Sequence, residues 1–266
     1  MAMTVNAFFL LFAIIVGVFL TNILIRSKSG LRVLMYHKIS LNTNDNLTIS
    51  EDVLEKQLLY LKKRNYHPIT VQQLIEHQYQ KAKLPKKPIL LTFDDGYENN
   101  YTYLYPLLKK HALKATIFLP VGFIGKSNEW DEGKESIMSP DILKLMDSSL
   151  IEYGLHSFIH KCYREITNEE LTEDINKCKS ALDEKSIPFV PAVTYPYGAY
   201  PREQKRYEKF KETLINNEIR LGFRIGNRIN KLPLADPFCI ERIDIKGTDS
   251  FFRFKLKILL GRIKIF

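Results

Sequence analysis

The chain has 266 residues, which is long enough for one large α/β domain or a barrel. Its hydrophobic content of 45% excludes a disordered chain, and no low-complexity tract or internal repeat is present. The net charge of +9 favours contact with anionic surfaces, although a solvated lysine-rich surface explains it equally well. Because the basic residues are spread along the chain and no binding motif accompanies them, we expect no nucleic-acid partner.

An uncharged apolar stretch over residues 5–25 is long enough to span a bilayer as a helix. It has no basic region before it and no small-residue cleavage site after it, which favours a retained anchor over a cleaved signal peptide. We therefore expect residues 1–30 to form a membrane anchor and linker, and residues 31–266 to form one domain. Arg26, Lys28 and Arg32 follow the stretch, and this charge bias favours a cytoplasmic domain.

Beyond residue 30 the pattern alternates between strands and helices. The predicted strands cover residues 31–36, the apolar run after Pro88, and residues 115–119, 150–155, 190–195, 220–225 and 239–245. The predicted helices cover residues 51–64, 70–80, 99–111, 167–184, 203–216 and 249–260, with a further helix starting at residue 139. This alternation predicts a mainly parallel sheet. Candidate polar groups repeatedly follow strands, as they do at the C-terminal face of a (β/α) barrel.

Two adjacent carboxylates, Asp94 and Asp95, end one apolar strand and precede Gly96. Successive strand residues point to opposite faces, so the two carboxylates can take different roles. Glycine permits a tight turn directly after them. A simple turn is the ordinary explanation of such a triplet when it occurs alone.

Two histidines, His156 and His160, follow another apolar segment. If that segment is helical, the two side chains lie on one face and can share one metal ion. One Asp and two His leave coordination positions open, which is typical of a hydrolytic rather than a structural metal site. Surface or core histidines are the ordinary explanation of the pair alone. Its occurrence together with the two aspartates, and with Tyr-Pro-Tyr-Gly at residues 195–198, favours a site.

These motifs resemble those of the polysaccharide deacetylases of the NodB-homology type, also called family-four carbohydrate esterases. Thr-Phe-Asp-Asp-Gly at residues 92–96 matches their first motif, His-Ser-x-x-His at residues 156–160 their second, and residues 195–198 much of their third. Leu-Met-Tyr-His at residues 34–37 resembles the opening strand of the branch that deacetylates exported poly-N-acetylglucosamine. The resemblance covers roughly residues 31–261 and implies an α/β fold, a distorted (β/α) barrel with fewer than eight regular units.

By this resemblance, the chain would hydrolyse N-acetyl groups of an N-acetylglucosamine-containing glycan. Asp95, His156 and His160 would bind a divalent metal, expected to be zinc, although these ligands also suit cobalt, nickel and iron. Asp94 would be the general base, and the backbone N–H of Tyr197 would hold the developing oxyanion. The resemblance also favours a location outside the cytoplasmic membrane, against the flanking charges, so the membrane side stays open.

Two departures from the family pattern bear on catalysis. The third motif often carries an Arg two residues before its Pro to orient the base, and here that position is Thr194. The late Leu-x-x-x-His motif is also missing, since no His follows His160. The unassigned His37, at the end of the first predicted strand, is therefore the candidate donor of a proton to the leaving amine. Trp130, in a predicted loop, is a candidate sugar-stacking or packing residue.

Two alternatives stay open at this point. The missing Arg and late His favour a catalytically impaired carbohydrate-binding protein on the same fold, while the intact Asp and His residues oppose it. A metal amidohydrolase acting on a different amide is the second alternative.

The last sixteen residues mix large apolar side chains with Arg and Lys and contain no acid. If residues 251–260 are helical, Phe252, Leu256 and Leu259 share a face that would close the barrel. Residues 262–266 alternate charged and apolar residues and come too late to add much core. They are expected to lie on an anionic membrane, which makes membrane lipid a second expected partner.

Overall fold

The computed structural model describes residues 30–131 and 134–261, together with isolated residues between 9 and 17. The predicted anchor over residues 5–25 and the predicted membrane-binding tail over residues 262–266 therefore lie largely or wholly outside the described residues. Among the residues that are described, no helix is long and apolar enough to cross a bilayer. The anchor and the boundary after residue 30 stay predictions.

Parallel strands form the centre of the fold. In chain order the strands are β1 (Arg32–Tyr36), β2 (Lys38–Ser40), β3 (Thr48–Ser50), β4 (His67–Pro68), β5 (Pro88–Asp94), β6 (Ala115–Leu119), β7 (Ile151–Leu155), β8 (Ala192–Thr194), β9 (Leu221–Ile225) and β10 (Ile240–Asp244). Seven of them follow the order β1-β10-β9-β8-β7-β6-β5, and β5 pairs back onto β1 with Arg32 opposite Ile89 and Tyr36 opposite Phe93. The predicted distorted barrel is confirmed.

Helices cover the outside of the barrel. They are α1 (Glu51–Lys63), α2 (Val71–Gln80), α3 (Tyr105–His111), α4 (Pro140–Leu145), α5 (Asn168–Glu184), α6 (Gln204–Asn216) and α7 (Phe251–Leu260). The capping boxes predicted at Thr70 and Thr167 are both present, since each hydroxyl accepts from the backbone N–H three residues later. The predicted helix over residues 99–111 begins instead with a wider turn, Asn100–Leu104, directly before Pro106. A proline nitrogen cannot donate, so the wider turn accommodates it at the start of α3.

Apolar residues fill the barrel interior at the end where the strands begin. Along β5, Leu90, Thr92 and Asp94 alternate with outward-facing residues, as a strand requires. The buried cluster that contains Val33 and Leu90 also contains Phe118 and Phe223, whose rings lie 5.5 Å apart. This packing closes one end of the barrel, so the inward-facing carboxylate of Asp94 lies at the open end, where the strands finish.

Arg32 is a buried charge in the wall of the barrel. Its side chain is fully buried, and its Nε donates to the carbonyl of Ile258 at 2.6 Å, while Nη1 donates to the carbonyl of Gly30 at 3.0 Å. Its guanidinium also lies 5.1 Å from the centre of the Tyr66 ring. The outward position at the start of β1 thus places the Arg32 side chain under α7.

We predict that Arg32→Met lowers the free energy of unfolding by about 2–3 kcal/mol, because two buried carbonyl oxygens lose a charged donor. This corresponds to a fall of about 5–10 °C in melting temperature for a chain of this size. Thermal unfolding followed by circular dichroism measures the change. Arg164→Met, at an exposed position, is the matched control and should melt within about 2 °C of the wild type. Equal melting temperatures for the two variants would contradict the role of Arg32.

Candidate active site

A buried ion pair crosses the open end of the barrel. Arg242 on β10 faces inward, and its Nη1 and Nη2 donate to the two carboxylate oxygens of Asp94 at 2.6 and 2.7 Å. Both side chains are nearly completely buried, with 1% of each residue exposed. A planar guanidinium fork fixes a carboxylate in both position and plane. The Arg expected before the Pro of the third motif is thus replaced by an Arg from another strand.

The same pair controls the charge of the carboxylate. Burial alone would raise the pKa of Asp94, but the Arg242 guanidinium, with smaller contributions from His156 and His37, holds that pKa below its ordinary value. Asp94 is therefore ionised at neutral pH and able to accept a proton. One face of its carboxylate is held by Arg242, and His37 Nε2 lies 4.0 Å from Oδ2.

Asp95 faces the two histidines of the second motif. Its Oδ1 lies 3.4 Å from Nε2 of His156 and 3.4 Å from Nε2 of His160, and candidate donor atoms of all three residues lie within 4.8 Å of one another. This oxygen is buried and has no hydrogen-bond partner among the described residues. An orphaned carboxylate oxygen facing two imidazole nitrogens fits a divalent cation with one oxygen and two nitrogen ligands. The structure therefore brings together the three predicted metal ligands.

His156 is held by Thr194 through its Nδ1 atom. That nitrogen lies 3.0 Å from the carbonyl oxygen of Thr194 and 2.5 Å from its hydroxyl oxygen, which can either donate or accept. In the tautomer in which Nδ1 donates to the carbonyl, Nε2 presents its lone pair toward Asp95. Burial lowers the pKa of His156 to about 4, so the ring is neutral at neutral pH. Thr194 thus orients a ligand, whereas an Arg at that position would orient the base.

The two histidines are not on a helix, which corrects one condition of the sequence argument. After β7 the chain forms a loop in which Ser157 and His160 have φ values of 65° and 55°. These left-handed conformations turn both imidazoles toward Asp95, where a helix would have aligned them by its period. The four-residue spacing does bring both histidines to Asp95, but a loop carries them where a helix was expected.

Asp174 on α5 holds this loop in place. Its carboxylate accepts from the Ser157 hydroxyl at 2.8 Å, from the Phe158 backbone N–H at 3.0 Å and from the Tyr163 hydroxyl at 2.6 Å. Ser157 is therefore turned toward α5, and the side chain does not reach the metal ligands. Since Asp174 is buried, these bonds fix a backbone that would otherwise relax out of its left-handed conformations.

Aromatic rings surround His160. Trp130 stacks on the imidazole at 4.7 Å between ring centres and 16° between planes, and Tyr197 approaches it edge-on at 4.7 Å. The packing role considered for Trp130 is thus present, although its ring also lines the cleft. Tyr197 has φ 60° and ψ 12°, and 60% of the residue is exposed, so this predicted oxyanion residue stands at the rim.

All six predicted site residues line one cleft of about 280 Å³, together with Arg242. His37 follows the end of β1. The Asn100 side-chain amide donates a hydrogen bond to the His37 backbone carbonyl at 2.9 Å, which holds the backbone in place there. The imidazole faces the side of Asp94 that Arg242 leaves open.

The sequence argument missed Arg242 and Asp174, because neither lies in a recognisable motif. Strand β10 reads Ile-Glu-Arg-Ile-Asp, and its charged residues Glu241 and Asp244 leave no local signal that sets Arg242 apart.

The arrangement matches a known family. The sequence profile described as polysaccharide deacetylase matches residues 81–212, which include the two aspartates, the two histidines and Tyr197 but neither His37 nor Arg242. YxkH of Bacillus subtilis (strain 168) is 30% identical over 173 residues, 65% of this chain and 58% of that protein. A poly-beta-1,6-N-acetyl-D-glucosamine N-deacetylase of Staphylococcus aureus (strain MSSA476) is 24% identical over 65% of this chain and 62% of its own length.

The fold agrees with these matches. The solved structure of IcaB from Ammonifex degensii superposes with a TM-score of 0.72 at 25% identity, over 87% of this chain and 97% of that one. The matched region thus spans about three fifths of the two curated relatives but nearly all of this solved chain. With the motifs, the barrel and the clustered site residues in agreement, the chain belongs to the polysaccharide deacetylase family.

Proposed function

We propose that this chain is a metal-dependent hydrolase that removes N-acetyl groups from an N-acetylglucosamine-containing glycan. The observation that carries the proposal is Asp95 Oδ1, which is buried and unpaired among the described residues, 3.4 Å from each of two histidine Nε2 atoms. Directly beside it stands a second carboxylate, clamped by Arg242. This division into a metal-binding and a proton-accepting carboxylate is the division that amide hydrolysis needs.

Asp95, His156 and His160 would hold the metal, for which we propose zinc. The ion would supply Lewis-acid polarisation of the amide carbonyl and activation of water. Asp94 would accept the proton of that water, since its pKa lies below the ordinary value and its free side faces the cleft. Arg242 would keep Asp94 ionised and in one orientation until the proton arrives.

His37 would return a proton to the leaving amine. Its Nε2 lies 4.0 Å from Asp94 Oδ2, so the base and the acid stand on one side of the cleft. The backbone N–H of Tyr197 would stabilise the negative charge that develops on the acetyl oxygen. Its left-handed backbone conformation aims this segment into the cleft rather than along β8.

The impaired carbohydrate-binding alternative loses support from the same contacts. Its basis was the missing Arg of the third motif and the missing late His. Arg242 provides a guanidinium on the base, and His37 provides an imidazole beside it, each from another part of the chain. The S. aureus relative is named as a poly-beta-1,6-N-acetyl-D-glucosamine N-deacetylase, which supports such a glycan as the substrate class over a non-sugar amide.

We also propose that the domain is attached to a membrane by the apolar stretch over residues 5–25. The side of the membrane follows from neither the flanking charges nor the family.

The first prediction of this proposal concerns the metal. Acetate release from N-acetylglucosamine oligomers should stop on chelation and return on adding zinc. Elemental analysis should find about one divalent ion per chain, and His156→Ala or His160→Ala should lose most of it, because two ligands do not replace three. His67→Ala, at an exposed position on β4, is the matched control and should keep the metal. Full metal retention in both ligand variants would refute the site.

A second prediction separates the two carboxylates. Asp94→Asn keeps the shape but cannot accept a proton, so it should retain the metal and lose about 10²–10⁴-fold in rate. Asp95→Asn should lose metal affinity as well. Arg242→Lys keeps the charge but loses the planar fork, so it should retain the metal and lose up to about 10²-fold in rate. Metal content and acetate release measured on the same preparations distinguish these outcomes, and equal metal loss in all three variants would contradict the division of roles.

The third prediction concerns His37 as the proton donor. His37→Ala should slow deacetylation of the natural amide by about 10²-fold or more while leaving the metal content unchanged. The effect should be much smaller on an aryl ester or an activated anilide, whose leaving group needs little protonation. His111→Ala, which removes an imidazole bonded to Glu55 outside the cleft, is the control. An equal loss on both substrates would show that His37 has no acid role.

A further inference from the structure

Helix α7 has a second apolar face that does not contact the barrel. The side that packs inward consists of Phe254, Lys257 and Ile258, all buried. The opposite side carries Phe252, Lys255, Leu256 and Leu259, spaced as one helical face, which we call the α7 outer face. Phe252 is 69% exposed and Leu259 is 39% exposed. The sequence-based expectation that this face closes the barrel is therefore wrong, because the helix is rotated to bury the other side.

The surroundings of this face are basic. Residues 251–260 include no acid, and the preceding Asp249 is buried between Arg253 and Lys257. The Tyr60 ring, at the end of α1, lies 5.7 Å from the Phe251 ring and 5.6 Å from Lys255 Nζ. Through Tyr60 the α7 outer face is continuous with the exposed Lys63 and Arg64. Large apolar side chains beside several cations are typical of a helix that lies in the headgroup region of an anionic bilayer.

The chain that precedes the barrel enters beside this face. The Arg32 guanidinium bonds the carbonyls of both Gly30 and Ile258, so residue 30 lies next to the last turn of α7. The uncharged apolar stretch over residues 5–25 is only a few residues away along the chain. Any membrane contact made by that stretch would bring the α7 outer face to the same surface.

We propose that the α7 outer face, with Lys63 and Arg64, rests on a bilayer that contains anionic phospholipid. The basic residues near such a surface favour the contact electrostatically, and Phe252 and Leu259 add the burial of exposed apolar area. The contact is peripheral, and it is separate from the metal site, none of whose residues lie on α7.

The test uses the full chain reconstituted in nanodiscs of phosphatidylcholine, with or without phosphatidylglycerol. Hydrogen–deuterium exchange at residues 251–260 should slow about tenfold or more in the anionic discs at low salt, equivalent to about 1.4 kcal/mol, and should recover at high salt. Phe252→Glu with Leu259→Glu should abolish the protection. Leu145→Glu with Ile215→Glu, which adds the same two charges at exposed apolar positions on α4 and α6, is the matched control and should keep it.

Three results would overturn the proposal. Exchange that is independent of phosphatidylglycerol would exclude an anionic lipid contact. Equal protection in detergent and in discs would show that the chain's own N-terminal segment covers the face. Protection that rises with protein concentration would indicate a second copy. Acetate release is not part of the measurement, so loss of the deacetylase proposal and loss of this one are distinguishable.

Discussion

The buried ion pair between Arg242 and Asp94 is the constraint on which the site depends. It joins β10 to β5 across β1, so it forms only when the barrel is closed with β1 between those strands. Breaking such a pair would leave a charge buried without a partner, at a cost of about 3–5 kcal/mol. The same bonds that contribute to closing the barrel also keep the Asp94 carboxylate ionised and in a single orientation. One interaction thus both stabilises the barrel and orients this carboxylate.

Backbone strain is concentrated around the three candidate metal ligands. Asp95, Ser157, His160 and Tyr197 all adopt positive φ values, although none is glycine. Conformations of this kind cost of order 1 kcal/mol or more each and persist only where the surroundings hold them. The bonds from the loop after β7 to Asp174 supply that support for the second motif. The strain allows side chains from three separate strand ends to converge, which regular strands and helices would not permit.

The two ends of the barrel carry different chemistry. Where the strands begin, Val33, Leu90 and Phe118 fill the interior and Arg32 ties β1 to α7. Where the strands finish, the inward positions become charged, and the interior opens into the cleft. This polarity follows from the alternation of each strand, which carries an apolar side chain inward at its start and a functional one at its end.

The alternation of strands and helices and the two capping boxes were predictable from the sequence, because they depend on local periodicity and on residues within a few positions of one another. The barrel and the grouping of Asp95 with His156 and His160 were predicted through the resemblance of three separate motifs to one family. Only the tertiary structure decided that Arg242 clamps Asp94, because the two residues are 148 positions apart and no local pattern links them. It also decided which face of α7 packs inward. Both faces of that helix are apolar, so periodicity alone cannot choose between them, and the choice follows from the shape of the barrel wall.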